Sequence, residues 1–151
     1  MRVGAAFDHR GVKLRDAVLE AITAAGGEAV DLGVDTDAVR VDYPDKALEL
    51  GLAIRSGEVD RGVLVCGSGV GASIAASKIP GIRAAICHDA YSAHQGVEHD
   101  DINVLYLGSE IVGRELVREL VRAFLGASFA GEGRYADRLA KVAELERMTD
   151  G

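Results

Sequence analysis

Residues 63–78 read V-L-V-C-G-S-G-V-G-A-S-I-A-A-S-K, an apolar run that ends in Cys66 and passes straight into Gly67, Ser68, Gly69, Val70 and Gly71. Such a loop can cradle a nucleotide phosphate, hold a phosphate monoester for a thiol nucleophile, or set a thiolate beside a sugar. A triphosphate-binding loop needs G-K-[ST] after its glycines, and Ala72-Ser73 stand there instead. A thiol phosphatase of the C-x5-R type needs an arginine at position 72 to hold the transferred group, and the residue is Ala72. A receiver domain would want an acid where Cys66 stands. The dinucleotide fingerprint wants its third glycine one position beyond Gly71 and normally follows the first strand. It stays open as an alternative because Asp89 could imitate the ribose-binding acid. What remains is a cysteine at the carboxyl end of a strand, facing the N-terminus of a short helix. Unpaired N–H groups and the helix dipole favour negative charge there. The same field raises the thiolate fraction of a cysteine and stabilises an oxyanion on a bound substrate. One loop can thus supply a base and its electrostatic partner. The flanking glycines favour this role for Cys66, whereas Cys87, inside I-R-A-A-I-C-H, reads as buried packing.

Proton carriers and cations lie elsewhere in the chain. His9 follows Asp8 at a predicted strand end, suited to polar work or to capping a helix. His99, in E-H-D-D-I-N before the last strand, can move a proton to or from a hydroxyl near neutral pH; the competing view is a solvated loop residue. His88, His94 and His99 with Asp89 and Glu98 hint at a metal, but spacings of six and five do not put ligands on one helical face. No metal is expected. Arg134 and Arg138 stand four apart and share a helix face, which makes either a phosphate clamp or a solvated face with glutamate partners.

The elements that must position these residues follow from composition and periodicity. The chain has 151 residues, 48% hydrophobic and 27% charged, which predicts a single domain over 1–151. Its 19 glycines against 2 prolines suggest many tight turns between apolar runs. No apolar segment approaches ~20 residues, and the opening M-R-V-G-A-A-F-D-H has no signal-peptide layout. Two cysteines without C-x-x-C fit a reducing cytoplasm. A net charge of -7 argues against nucleic acid or an anionic membrane as partner. An anionic ligand would therefore need a local pocket of Arg, His or backbone N–H groups.

Strands are predicted over 2–7, 28–32, 61–65, 82–87 and 103–107. Helices are predicted over 10–25, 44–56, 70–78, 89–98, 113–125 and 134–148. Alternating elements, with strands apolar on both faces, imply an α/β protein with a parallel sheet covered on each side. Ligands of such sheets bind at the carboxyl ends of the strands. Candidate positions are then Asp8-His9, 31–44, Cys66–Gly71, His88-Asp89 and Gly108-Ser109-Glu110.

Taken together, these segments resemble the type B ribose-5-phosphate isomerases, the family that also holds the galactose-6-phosphate isomerase subunits. The likeness runs nearly end to end: A-F-D-H-R-G-V-K-L, D-Y-P at 42–44, C-G-S-G-V-G-A-S-I-A-A-S-K-I-P-G-I-R-A at 66–84, Y-S-A-H-Q, H-D-D-I-N-V-L-Y-L-G and G-R-Y-A-D-R. The resemblance implies a Rossmann-like three-layer α/β/α fold of about five strands with an additional C-terminal helix. It also implies cofactor-free and metal-free aldose–ketose isomerisation, and a homodimer or dimer of dimers with active sites shared between subunits. A base moves a proton between C1 and C2 of an opened sugar through an enediolate. Cys66 matches the catalytic cysteine, Ser68 the hydroxyl beside it, and His99 the residue that opens the furanose ring. The N–H groups of Gly67, Gly69 and Gly71 match the holders of the enediolate oxygens, with Val70 and Ser73 in the same loop. Asp8 and Tyr43 match sugar contacts, Asp100 lies near the sugar, and His9, Arg134 and Arg138 match the phosphate clamp.

This sequence departs from that pattern in places. After the last strand, related sequences usually carry G-[GSA]-R, whose arginine helps hold phosphate; here G-S-E puts Glu110 there. Ser77 and Asp100 stand where asparagine is usual. The reaction type survives these changes, while the substrate stays open between ribose 5-phosphate and another four- or six-carbon sugar phosphate. A non-catalytic sugar-phosphate or nucleotide-binding module is the alternative from a different class.

Overall fold

A computed structural model describes residues 1–148 of the chain. Five strands, β1 (Arg2–Phe7), β2 (Glu28–Asp31), β3 (Arg61–Cys66), β4 (Ala84–Ile86) and β5 (Val104–Gly108), form one parallel sheet in the order β2-β1-β3-β5-β4. Six α-helices alternate with them: α1 (Arg15–Ala24), α2 (Tyr43–Arg55), α3 (Val70–Ala76), α4 (Ala90–Asp100), α5 (Arg114–Gly126) and α6 (Gly133–Met148). The expected α/β architecture is therefore present. Among the described residues no helix is long and apolar enough to cross a membrane.

Strand alternation sorts the core into two layers. Val3, Ala5, Phe7, Val63, Val65, Leu105 and Leu107 point to the side covered by α1, α4 and α5. Ala6, Leu64, Cys66, Val104 and Tyr106 point to the side of α2 and α3. Cys66 is thus carried on the α2/α3 side by the two-residue period of β3. Helix α2 comes close because Gly4 and Gly62, paired across β1 and β3, leave a slot for Leu50: a Cβ at Gly62 would stand 2.7 Å from Leu50. This seats the first residue of α2, Tyr43, near the end of β3.

Most boundaries shift by a residue or two from the sequence expectation, and four of the differences are instructive. The first helix opens with a 3-10 turn, Gly11–Leu14, because the carbonyl of Asp8 accepts from both Gly11 and Val12 and tightens the chain. Strand β3 runs one residue further, through Cys66. Strand β4 keeps only three residues, since it is an edge strand paired with β5 alone. Helix α4 continues to Asp100, so His99 is helical rather than in a loop. Its N-cap is Asp89, as expected, whose Oδ1 accepts from the Ser92 N–H at 2.7 Å.

Candidate active site

Four segments meet at the carboxyl edge of the sheet. The turn after β1 presents Asp8, His9 and Arg10. Asp8 is 4% exposed, and its Oδ1 accepts from the N–H groups of Arg10 (2.9 Å) and Gly11 (2.8 Å). His9 sets Nδ1 3.2 Å from both the N–H and the carbonyl of Val41. That contact pins the 32–42 loop to the β1 turn, and the buried Lys46 fastens its base by donating to the Leu32 carbonyl at 2.7 Å. The segment after β5 closes the floor: Ser109 N–H donates to Cys66 O (2.8 Å), and Glu110 N–H to Gly67 O (2.9 Å).

Cys66 ends β3 and is 4% exposed; its Sγ accepts from the Gly69 N–H at 3.1 Å. Gly69 reaches this position with φ of +84°, a conformation that suits glycine. Ser68 Oγ accepts from the Val70 N–H, the first of α3, at 3.2 Å. The Tyr43 ring lies over Gly71, where a Cβ would come within 2.6 Å of Tyr43 Cζ. The result is a cleft of about 290 Å³ lined by Asp8, His9, Arg10, Arg40, Tyr43, Cys66, Gly67, Ser68 and Gly71, together with Val41 and Asp42. Larger hollows of about 660 and 350 Å³ lie under α6, lined by residues such as Ile79, Val142 and Leu139 and by none of the expected site residues.

The expected residues fall into two groups. Asp8, His9, Tyr43, Cys66, Gly67, Ser68 and Gly71 converge on the cleft. His99, Asp100, Arg134 and Arg138 do not. Helix α4 runs back from the carboxyl edge and ends at the amino ends of β4 and β5, where Asp101 holds Arg83. The length of a six-residue strand, about 17 Å, separates that edge from Cys66. His99 Nδ1 is 2.9 Å from Gln95 Nε2, and its ring stacks on Tyr135 of α6 at 4.4 Å between centroids. Arg134 Cζ lies 5.1 Å from the centroid of that tyrosine ring, with Nη2 donating to its hydroxyl at 3.0 Å. His9 therefore does not share a clamp with Arg134 and Arg138 inside one chain.

Gly69, Val70 and Ser73 are not among the residues that line the cleft. The Gly69 N–H points at the Cys66 sulfur. Ser73 Oγ donates back to the Val70 carbonyl at 2.8 Å and stays outside the cleft. Val70 is half exposed and also outside it. The dinucleotide alternative loses its acid as well: Asp89 caps α4, and β5 stands between β4 and the loop-bearing β3.

Other titratable groups do structural work. Cys87 is 3% exposed, and burial pushes its thiol up to about 11, in line with a packing role. His88 Nε2 accepts from the Gly108 N–H at 3.0 Å and ties β4 to the end of β5. Burial holds its pKa below the ordinary imidazole value, against a smaller opposing pull from Asp89. Glu110 accepts from Lys13 Nζ at 2.9 Å and lies 3.8 Å from Arg10 Nη2. The Lys13 hydrogen bond, more than any other contact, holds its carboxyl below the usual range. Sequence reasoning passed over Arg10 and Arg40, although both flank motifs it had marked, D-H and D-Y-P. It also passed over Tyr135, beside Arg134.

A family model described as Ribose/Galactose Isomerase matches residues 3–142. The chain belongs to that family. It is 43% identical over 140 residues to the ribose-5-phosphate isomerase B of Escherichia coli, covering 93% of each chain. It is 36% identical over 141 residues to the D-erythrulose-4-phosphate isomerase of Pectobacterium atrosepticum, covering 93% of this chain and 92% of that one. Among solved structures, the ribose-5-phosphate isomerase B of Clostridium thermocellum superposes with a TM-score of 0.92 at 42% identity over 99% of both chains. The protein is a sugar-phosphate isomerase of this family, and the resemblance stated on the motifs holds across the fold.

Proposed function

We propose that the enzyme interconverts an aldose phosphate and its ketose through an enediolate, with the Cys66 thiolate as base and ribose 5-phosphate to ribulose 5-phosphate as the preferred reaction. The observation that carries this is the Cys66 sulfur itself: it lines a cleft at the carboxyl edge, accepts an N–H from the glycine loop, and is ringed by Asp8, His9 and Tyr43. An N–H aimed at the sulfur favours negative charge on it, and a base must hold that charge before it takes the carbon-bound proton. The amides of Gly67 and Gly71, which line the cleft, face the developing oxyanion. Ser68 sits beside the base, and Asp8 and Tyr43 orient the sugar hydroxyls.

Ring opening and the second half of the phosphate site are assigned to His99, Asp100, Arg134 and Arg138 of a second copy. Their separation from Cys66 within one chain supports that assignment, because the two groups serve one substrate only if two copies bring opposite edges together. The active unit is then a dimer or dimer of dimers. We treat 1–151 as one catalytic domain, of which 149–151 lie outside the described residues. Two free cysteines favour a reducing compartment, the cytoplasm.

A four-carbon substrate is the second candidate, favoured by Glu110 at a position expected to bind phosphate and by the 36% identity to a D-erythrulose-4-phosphate isomerase. The test is turnover of four-, five- and six-carbon sugar phosphates in the presence of a chelator, with exchange of the C2 proton into solvent followed by NMR. Isomerisation with exchange, abolished in Cys66→Ala, is the expected result. Binding without exchange would mean a non-catalytic module, and full activity in Cys66→Ala would remove the cysteine base.

A further inference from the structure

We propose that Arg10 is the substrate-anion receptor contributed by the cleft's own chain, held in position by the row Lys13–Glu110–Arg10; this rests on the sugar-phosphate reading above. The main chain of Arg10 is fixed from both sides. Its N–H donates to Asp8 Oδ1 at 2.9 Å, and its carbonyl accepts from the hydroxyl of buried Ser109 at 2.8 Å. The side chain then lies flat against Gly67, so closely that a Cβ at Gly67 would stand 2.3 Å from Cζ and 2.4 Å from Nη1. The guanidinium, although its side chain is more than half exposed, therefore lines the cleft with Cys66 and His9.

Its donors are free for a ligand. Among the described residues the Arg10 guanidinium has no hydrogen-bond partner, and its one charged contact is Glu110 at 3.8 Å, beyond hydrogen-bond reach. The Glu110 carboxylate is instead hydrogen-bonded to Lys13, which lies outside the cleft. A carboxylate held by lysine on one side and facing arginine on the other keeps Arg10 aimed without saturating its planar donor fork. The row carries one net positive charge, in a chain whose overall charge of -7 repels anions. A phosphate monoester fits this fork in a bidentate manner, with His9 and Arg40 lining the same cleft. The cation expected at position 110 has in effect moved to position 10, and Glu110 serves it rather than opposing the substrate.

Changes at Glu110 and at Lys13 give opposite signs, which mere packing would not. Arg10→Met is expected to weaken binding of inorganic phosphate, measured by calorimetry on the full chain, and to raise KM for the preferred sugar phosphate, each by roughly 10- to 100-fold. kcat should move less than about threefold, and Arg10→Lys should recover only part of the affinity. Glu110→Gln releases Arg10 and should tighten phosphate roughly two- to fivefold. Lys13→Met turns Glu110 fully onto Arg10 and should weaken it by a similar factor. Alkylation of Cys66 by iodoacetamide should proceed in Arg10→Met within about twofold of wild type, since the arginine serves the ligand and not the sulfur. Equal phosphate affinity in wild type and Arg10→Met would overturn the assignment, as would a large fall in the alkylation rate or shifts of the same sign in Glu110→Gln and Lys13→Met. Absence of turnover on every sugar phosphate would instead sink the isomerase reading, while the phosphate titration would still judge Arg10.

Discussion

Gly71→Ala separates the chemistry of the cleft from the stability of the fold. Gly71 is the second residue of α3 and has ordinary helical backbone, so a methyl group there meets no conformational penalty and raises helix propensity. The stability change expected from propensity alone lies between zero and about 1 kcal/mol in favour of the variant. The new Cβ, however, would stand 2.6, 2.8 and 2.9 Å from three atoms of the Tyr43 ring. Ordinary contact begins at 3.4 Å, so the ring must withdraw by about 0.8 Å. It can do so, because Tyr43 is 42% exposed on the first turn of α2. If Tyr43 orients substrate as proposed, a displacement near 1 Å costs about 10²-fold in rate, or ~2.7 kcal/mol of transition-state stabilisation. The assay pairs thermal unfolding followed by circular dichroism with kcat/KM on the preferred sugar phosphate. The expected result is an unchanged or slightly higher Tm with kcat/KM down about 100-fold. Activity within twofold of wild type at unchanged Tm would refute the placement of Tyr43 in the substrate wall. A fall in Tm of several degrees would show the ring to be packing rather than a movable wall.

Three further outcomes are expected. At pH 8 native protein should take up one equivalent of iodoacetamide, at Cys66, because a Cys87 thiol pushed up to about 11 leaves only about one part in a thousand as thiolate; peptide mapping with dominant label on Cys87 would contradict this. The His88 imidazole titrates below its ordinary value in the fold, so its contribution is complete above about pH 6.5 and is lost as pH falls through the folded pKa. Protonation removes the acceptor for the Gly108 N–H, about 1 kcal/mol or 2–4 °C in Tm, and His88→Gln should flatten this acid slope; an identical slope in the variant would count against it. Cys66→Ala and His99→Asn should each be nearly inactive, and unfolding and refolding them together should restore roughly a quarter of wild-type activity through mixed dimers with one intact site; no recovery would mean that the two groups do not share a substrate.

Much of the cleft was legible because its parts are adjacent in the chain or sit at strand ends. Cys66 to Gly71 are consecutive, and a strand-then-glycine pattern places such a loop at the carboxyl edge of any parallel sheet. Asp8-His9 and D-Y-P followed from the same rule, with Pro44 marking the start of α2. The alternation of short apolar runs with amphipathic helices determined the layered α/β class, because burial on both strand faces leaves no other arrangement for those segments.

What only the tertiary structure decided is which groups meet. Nothing in local sequence says that the Gly69 N–H turns onto sulfur, that Ser73 bonds back to its own helix, or that Tyr43 rests on Gly71. Those contacts depend on how closely α2 approaches the sheet, and Leu50, Gly4 and Gly62 settle that from three separate segments. His99 and Cys66 are 33 residues apart, yet the crossover through β4 and α4 puts them at opposite edges. Glu110 looked hostile to an anion until its partners were known. A charge has no functional sign of its own: what it does to a ligand depends on the charges within a few ångströms, and here those are Lys13 and Arg10, about a hundred positions away along the chain and in contact only after folding.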